Sequence, residues 1–162
     1  MDKLKIRFTE KEDCDYLKKW LSDKDILKWF PMYNEMEIDD AVRIWIAYSK
    51  INASLTALIN KKPVGSALLY VQSFEKVKHH ALFAIIVDSN YRNKGIGTKL
   101  INELIILAKE KFELEFLNLE VYAGNPAKRL YDRLGFTSFG MQKKCLKEND
   151  GYLDKIFMQK YL

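Results

Sequence analysis

The chain has 162 residues, of which 48% are hydrophobic and 30% charged, and its formal net charge is +5. This length suits one domain, and the balance of apolar and charged residues excludes a disordered or low-complexity chain. The longest apolar run, residues 81–87, is far shorter than the roughly 18 to 20 residues of a membrane-spanning helix, and no secretory signal is visible at the start. Because no nucleic-acid motif accompanies the interspersed basic residues, we predict a cytoplasmic protein without a nucleic-acid or membrane partner.

The first fifty residues predict one strand followed by two or three helices. Alternating apolar residues predict the strand, and Thr9 with Glu12 forms the sequence of a capping box for the first helix. Pro31 ends the second helix, and Asp39 or Asp40 leads a third. The predicted ranges are 4–9 for the strand, and 9–21, 22–30 and 39 or 40 onward for the helices.

From residue 53 onward the apolar period changes to two, which is typical of strands. The predicted elements are strands at 53–60, 63–71 and 79–88, a helix at 98–112, a strand at 116–122, a helix between Pro126 and Gly135, and strands at 136–144 and 151–159. The nearly uninterrupted apolar residues 81–87 predict a central strand buried on both faces. This order of elements predicts a mixed sheet with helices on its faces.

The most informative segment is VDSNYRNKGIGT, residues 87–98, which connects this buried strand to an amphipathic helix. Gly95 and Gly97 let the backbone approach a ligand closely, and the free N–H groups at a helix start favour an anion. Arg92, Lys94 and Lys99 add positive charge, so the segment suits a pyrophosphate. It lacks the GxxxxGK[ST] of a Walker loop and the third glycine of a Rossmann fingerprint. A glycine-rich turn without a ligand stays open as an alternative.

The pattern Arg-x-x-Gly-x-Gly after a buried strand resembles the acyl-CoA-binding loop of the GNAT N-acetyltransferase superfamily. The sequences LEV at 119–121, NPA at 125–127 and LYDRLGF at 130–136 are similar to that family's strand, Asn-containing turn and helix end. Segments 20–23 and 41–46 faintly resemble the branch with ribosomal-protein, polyamine and aminoglycoside acetyltransferases. The resemblance implies an α/β (α+β) fold, one domain over residues 1–162, with a mixed, mostly antiparallel central sheet of about seven strands flanked by helices.

The same resemblance implies an enzyme that transfers acetyl from acetyl-CoA to a primary amine by direct attack in a ternary complex. Because residues 81–136 contain no cysteine, a route through a covalent thioester is not expected. The alternative is a non-catalytic acyl-CoA-binding module. The implied partners are acetyl-CoA and an amine acceptor, either a small molecule or a protein N-terminus, with no metal. The protein would be a monomer or a homodimer.

By this resemblance, Tyr131 would protonate the departing CoA thiolate, and Glu120 would take the proton of the amine. His80 is a second candidate for the base, because histidine titrates near neutral pH. The glutamate used by the histone-acetylating branch falls here on Ala81, so that base is absent. Ordinary alternatives stay open, since Tyr131 could simply pack a helix end, and Glu120 and His80 could be solvated. The implied cofactor-binding residues are Ile85, Ile86, Val87, Arg92, Asn93, Lys94, Gly95, Ile96, Gly97, Thr98 and Asn125. Asn125 precedes Tyr131 by six residues where most members have seven, so Gly124 occupies the usual position.

The acceptor would lie against residues 21–37 and 139–150, again by resemblance. Acidic residues in the first of these regions and just after it could attract a cationic amine, although charges around short helices are usually only solvated. These residues are Asp23, Asp25, Glu35, Glu37, Asp39 and Asp40. Trp29, Phe30 and Tyr33 could form the floor of the acceptor cleft or belong to the core.

Overall fold

The fold is that of a computed structural model, and the structure describes residues 3–162. The predicted domain starts at Met1 and Asp2, which lie outside the described residues. Within residues 3–162 there are seven strands, five α-helices and no helix with the length and apolar content to cross a membrane. The elements are β1 (Leu4–Phe8), α1 (Cys14–Leu21), α2 (Lys24–Leu27), α3 (Glu35–Ser49), β2 (Ser54–Ile59), β3 (Lys62–Tyr70), β4 (His80–Val87), α4 (Ile96–Glu110), β5 (Phe116–Tyr122), α5 (Ala127–Arg133), β6 (Thr137–Glu148) and β7 (Gly151–Tyr161).

The strands form a single sheet in the order β1-β2-β3-β4-β5-β7-β6. The β4–β5 pair is parallel, and the other neighbouring strands are antiparallel. The predicted mixed, mostly antiparallel sheet of about seven strands is therefore confirmed.

Helices cover both faces of the sheet and create two hydrophobic cores. Leu100 and Leu104 of α4 pack in one core with Phe83 of β4, and α5 contributes to the same core. Trp20 of α1 packs in the other core with Ile86 of β4, together with apolar residues of α2 and α3. Because side chains alternate along a strand, Phe83 and Ile86 point to opposite faces. We call these the α4–α5 face and the α1–α3 face.

Strands β4 and β5 separate soon after they begin to pair. Their paired residues are His80 with Phe116, Ala81 with Leu117 and Leu82 with Asn118, and no pair follows. Beyond this point β5 pairs only with β7 among the described strands. The prediction that the strand is buried on both faces is therefore wrong in its second half: Ile85 and Val87 are only half-buried because they border the gap between β4 and β5.

The predicted capping box at Thr9 is wrong. The Thr9 hydroxyl is buried and lies 2.7 Å from the Ser54 hydroxyl and 2.9 Å from that of Thr56, so it serves the sheet and not a helix. Instead, the Asp13 carboxylate accepts the N–H of Glu10 at 2.9 Å, in a 3₁₀ turn that precedes α1.

The predicted start of the third helix at Asp39 or Asp40 is also wrong, because α3 begins four residues before Asp39. Asn34 caps α3, and its side-chain oxygen accepts the N–H of Glu37 at 2.9 Å. Two acidic residues in the first turn, Glu35 and Glu37, suit the positive end of the helix dipole.

Candidate active site

The gap between β4 and β5 opens into a cleft of about 660 Å³. Its walls come from the end of β3, from β4 and β5, from Lys155 within β7, from the loop before α4 and from α5. Residues after α2 close one side. Tyr131 belongs to the core on the α4–α5 face, whereas Tyr70 packs with the core on the α1–α3 face. Since both line the cleft, the cleft passes through the sheet from one face to the other.

The loop before α4 has the backbone that an anion site requires. Asn93 and Gly95 have φ values of 60° and 77°, and Gly95 is the N-cap of α4. The first N–H groups of an α-helix have no acceptor within the helix, so those of α4 are available at the cleft wall. A Cβ on Gly97 would lie 3.0 Å from Cδ2 of Leu130, so glycine lets α4 approach α5 closely. These features fit a bound pyrophosphate.

Most of the predicted cofactor-binding residues border the cleft. Its lining residues include Ile85, Ile86, Val87, Arg92, Asn93, Gly95, Ile96, Gly97, Thr98 and Asn125. Lys94 does not line it; its Nζ lies 5.4 Å from the ring centre of Tyr91 instead. From Phe83 onward the edge of β4 that faces β5 has no strand partner among residues 3–162, so its peptide groups can bind a ligand.

Tyr131 lies in α5 with its ring in the core and its hydroxyl at the cleft. The ring packs against Phe83 and Phe136, with ring centres 6.1 and 6.3 Å away. No enclosed polar side-chain atom in residues 3–162 lacks a hydrogen-bond partner. The Tyr131 hydroxyl forms no hydrogen bond with these same residues, so it must reach the open cleft. Burial raises the pKa of Tyr131 above its ordinary value, so the phenol keeps its proton at neutral pH.

Glu120 lines the cleft and is paired with a lysine that the sequence analysis missed. Its Oε2 lies 2.9 Å from Nζ of Lys155, which stands on β7 opposite Tyr122. Burial alone would lower the pKa of Lys155, but the hydrogen bond to Glu120 raises it above its ordinary value. Burial, together with the charge of Glu120, raises the pKa of Tyr70. Glu120 thus belongs to the cleft wall, near Tyr70 and Tyr122.

His80 is not brought to the cleft. It stands at the first residue of β4, where its ring stacks on Phe116 with 4.8 Å between centres, and Nδ2 of Asn118 lies 3.2 Å from its Nδ1. Burial and the neighbouring charge of His79 lower the pKa of His80. The position of His80 therefore does not support its predicted role as the general base.

Asn125 organises the turn between β5 and α5. Its side-chain oxygen accepts the N–H of Ala127 at 3.0 Å and so holds the start of α5. The neighbouring Gly124 has a φ of 92°, and a Cβ there would lie 3.8 Å from Cη2 of Trp29. Trp29 therefore reaches across from the segment after α2 and narrows the cleft at this turn.

The six acidic residues proposed to attract a cationic amine do not line the cleft. Lys18 pairs with Glu35 and Asp39 at 3.0 Å, and Asp23 accepts the Ser89 hydroxyl at 2.6 Å. Asp25 forms an ion pair with Lys28 and Asp40 forms one with Arg43, while Glu37 accepts the N–H of Tyr33. Trp29 and Phe30 do line the cleft, whereas Tyr33 is 79% exposed outside it. No group of three or more His, Cys, Asp or Glu residues within residues 3–162 could hold a metal ion.

Comparison with known proteins decides the family. Residues 10–136 match the family model described as the acetyltransferase (GNAT) family. The chain belongs to the GNAT family. Its cleft and glycine loop lie within the matched residues, apart from Lys155.

Three GNAT relatives set the scale of the similarity. The L-amino acid N-acetyltransferase AaaT of Escherichia coli (strain K12) is 32% identical over 105 residues, which cover 64% of this chain and 65% of that protein. The ribosomal-protein-alanine N-acetyltransferase from Brucella melitensis is 29% identical, with a TM-score of 0.83 and coverage of 98% of this chain and 99% of that one. The protein yncA from Salmonella typhimurium, solved with its cofactor acetyl-CoA, shares the fold at 24% identity, with a TM-score of 0.82 and coverage of 98% and 94%. The chain spans between about half and two thirds of the curated relatives it matches.

Proposed function

We propose that the chain transfers the acetyl group of acetyl-CoA to a primary amine by direct attack in a ternary complex. The observation that carries this proposal is that Tyr131 and Glu120 line one cleft, which the glycine loop of residues 92–98 also borders. The names of the relatives cover an L-amino acid and a ribosomal-protein alanine as acceptors, and both offer a primary amine.

We assign acetyl-CoA to the loop and to the open edge of β4. The free N–H groups at the start of α4, the positive end of its dipole and the charge of Arg92 suit the pyrophosphate. The unpaired edge of β4 at residues 85–87 offers peptide groups to the amides of the pantetheine arm. The side-chain oxygen of Asn125 is engaged with α5, so only its amide nitrogen would serve the cosubstrate.

Acetyl-CoA supplies the acetyl group as a thioester, whose C–S bond breaks as the amine nitrogen bonds to the carbonyl carbon. Tyr131 donates its phenol proton to the departing sulfur, and its raised pKa keeps that proton in place until it is needed. Glu120 accepts the proton that the amine nitrogen loses, directly or through one water. Solvent then returns a proton to Tyr131 and removes one from Glu120.

Replacement of Tyr131 by Phe tests this assignment. The ring stays in the core, so we expect acetyl-CoA to bind with an unchanged Kd, while kcat falls by about 100-fold or more because the acid is lost. Thiol release measures kcat, and calorimetric titration measures the Kd. Tyr161→Phe, at a residue that is 70% exposed at the end of β7, is the matched control and should leave both unchanged.

Two other outcomes would contradict the proposal in different ways. A Tyr131→Phe variant that keeps its kcat would remove Tyr131 as the acid but leave the transfer reaction in place. If acetyl-CoA bound the natural chain while no amine or peptide released thiol, the chain would be a non-catalytic acyl-CoA-binding module. A cytoplasmic location, a monomer or homodimer and one domain over residues 1–162 stay predictions.

A further inference from the structure

Six residues line the part of the cleft that we assign to the acceptor. Its residues are Trp29, Phe30, Tyr70, Glu120, Tyr122 and Lys155, and we call them the acceptor pocket. Lys155 Nζ lies 5.9 Å from the ring centre of Tyr122, and the charge of Glu120 acts on both Tyr70 and Tyr122. Tyr70 and Tyr122 therefore lie near the Glu120–Lys155 ion pair.

Within the acceptor pocket as defined, the charges of Glu120 and Lys155 cancel. The other charged residues that line the cleft are Arg92, Arg129 and Arg133. Glu120 is the single carboxylate among the described residues that line the cleft, and Lys155 already neutralises it at 2.9 Å. A pocket for a polycationic amine needs an excess of negative charge, which is absent here. One cation beside one anion instead complements a ligand that carries both charges itself.

Lys155 is the more buried partner of this ion pair. Its side chain is only 19% exposed, whereas that of Glu120 is 38% exposed. An ammonium group has three N–H donors, and Glu120 is the one ion-pair partner of Lys155 within residues 3–162. A donor of Lys155 is thus available to an anionic group of a ligand in the cleft, where little water competes for it.

We propose that the acceptor is a primary amine with a carboxylate close to the amine, as in an α-amino acid, and that Lys155 binds this carboxylate. The proposal rests on the proposed function. The substrate carboxylate takes over Lys155, which releases Glu120 to face the substrate amine and accept its proton. An amine without a carboxylate leaves Glu120 held by Lys155, so the base stays engaged. The aromatic residues of the pocket contact the apolar part of the substrate.

Matched substrates test the proposal in the natural chain. L-phenylalanine and L-leucine are compared with L-phenylalaninamide and L-leucinamide, which keep the amine and the side chain but lack the negative charge. We expect kcat/KM to be at least about tenfold higher for each acid, the value of one charge-assisted hydrogen bond. The amine of each amide is less basic than that of the amino acid, so a larger fraction of the amide carries a neutral, reactive amine. This difference favours the amides, so a preference for the amino acids cannot result from amine basicity.

Substitution of Lys155 then locates the effect. Lys155→Met should lower kcat/KM for the amino acids by about 10- to 100-fold, abolish the preference over the amides and leave the Kd of acetyl-CoA unchanged. Lys155→Arg should restore part of the preference, and Lys155→Gln replaces the Met variant if that one does not fold. Lys5→Met, on an exposed residue of β1 outside the cleft, is the control and should behave as the natural chain.

The outcomes separate this proposal from the proposed function. Equal turnover of acids and amides, or a preference for peptide N-termini, would overturn the carboxylate site while acetyl transfer stands. If no amine released thiol, the proposed function would fail, and calorimetric titration of L-phenylalanine into the CoA-bound protein would still test the site. If L-phenylalanine binds the natural chain and the Lys155→Met variant does not bind it, the carboxylate site is supported. If L-phenylalanine does not bind the natural chain, or binds no more tightly than L-phenylalaninamide, the carboxylate site is overturned.

Discussion

Asp13 connects the start of α1 to the sheet, and its removal should cost much of the stability of the chain. Its carboxylate accepts two hydrogen bonds from Arg7 at 2.8 and 3.0 Å, one from the Thr56 hydroxyl at 3.0 Å and one from the N–H of Glu10 at 2.9 Å. The Asp13 side chain is 4% exposed. Asp13→Ala would remove these four hydrogen bonds. The Arg7 guanidinium would keep only the Phe8 carbonyl at 2.9 Å and Glu10 at 3.7 Å, and the Thr56 hydroxyl would keep the Thr9 hydroxyl at 2.9 Å.

The expected loss follows from the exposure of the two partners. Removing one partner of a buried ion pair costs about 3–5 kcal/mol. Because the Arg7 side chain is 30% exposed, water recovers part of its hydration, and we expect Asp13→Ala to lower the free energy of unfolding by about 2–3 kcal/mol. For a chain of this size the melting temperature should fall by about 5–10 °C.

Urea unfolding, followed by tryptophan fluorescence, measures this loss. The control is Asp40→Ala, because the Asp40 carboxylate also lies 3.0 Å from an arginine, Arg43, but on the surface. Asp40→Ala should change the free energy of unfolding by no more than about 0.5 kcal/mol. A loss below about 1 kcal/mol for Asp13→Ala, or equal losses for the two variants, would refute the reasoning.

The lowered pKa of Asp13 makes the stability of the chain depend on pH. Burial alone would raise the pKa of Asp13, but the hydrogen bonds from Arg7 and from the Glu10 N–H hold it below its ordinary value. Since the folded pKa is the lower one, the stabilisation is present above about pH 4 and is lost as the pH falls through the folded pKa. Unfolding midpoints should therefore fall more steeply below about pH 4 in the natural chain than in the Asp13→Ala variant.

Two further predictions concern the cleft. Ser89 donates its hydroxyl to Asp23, which also caps α2, so Ser89→Ala should loosen the segment that carries Trp29. Steady-state kinetics should then show an acceptor KM raised by about three- to tenfold, with the Kd of acetyl-CoA unchanged, and an unchanged KM would contradict the link. A Cβ added at Gly97 would lie only 3.0 Å from Leu130, and the methyl groups of a valine would need still more room. Gly97→Val should therefore displace the start of α4, and calorimetry should show acetyl-CoA binding weakened by at least about tenfold. Binding at the natural affinity would mean that α4 and α5 can move apart there.

Local sequence carries most of what could be predicted about the sheet and the glycine loop. The strand at residues 116–122 has the predicted bounds, and Gly95 and Gly97 lie at the start of a helix after a strand. These features depend on neighbours in the chain, such as alternation and helix capping. The same local rules failed at Thr9, because its hydroxyl bonds across the sheet to Ser54, which lies 45 residues away.

The acceptor side could not be predicted, because its residues meet only through strand register. Glu120 and Lys155 are far apart in the chain, and the pairing of Tyr122 with Lys155 across β5 and β7 brings the lysine to the cleft. No motif in the sequence marks Lys155. The same register explains why His80 does not line the cleft, since the residues paired at the start of β4 and β5 keep its ring away from the opening.

The short pairing of β4 with β5 has a mechanical consequence. Three residue pairs connect β1–β4 to β5–β7 in the sheet, and the core on the α4–α5 face packs against both parts. Val87 stands five residues beyond the last pair, about 16 Å along the strand. A rotation of β4 by about 5° about the paired residues would therefore move Val87 by roughly 1.4 Å relative to β5. His80 lies at the first of these pairs, where it contacts Phe116 and Asn118, so its side chain links β4 to β5 at the closed end of the gap.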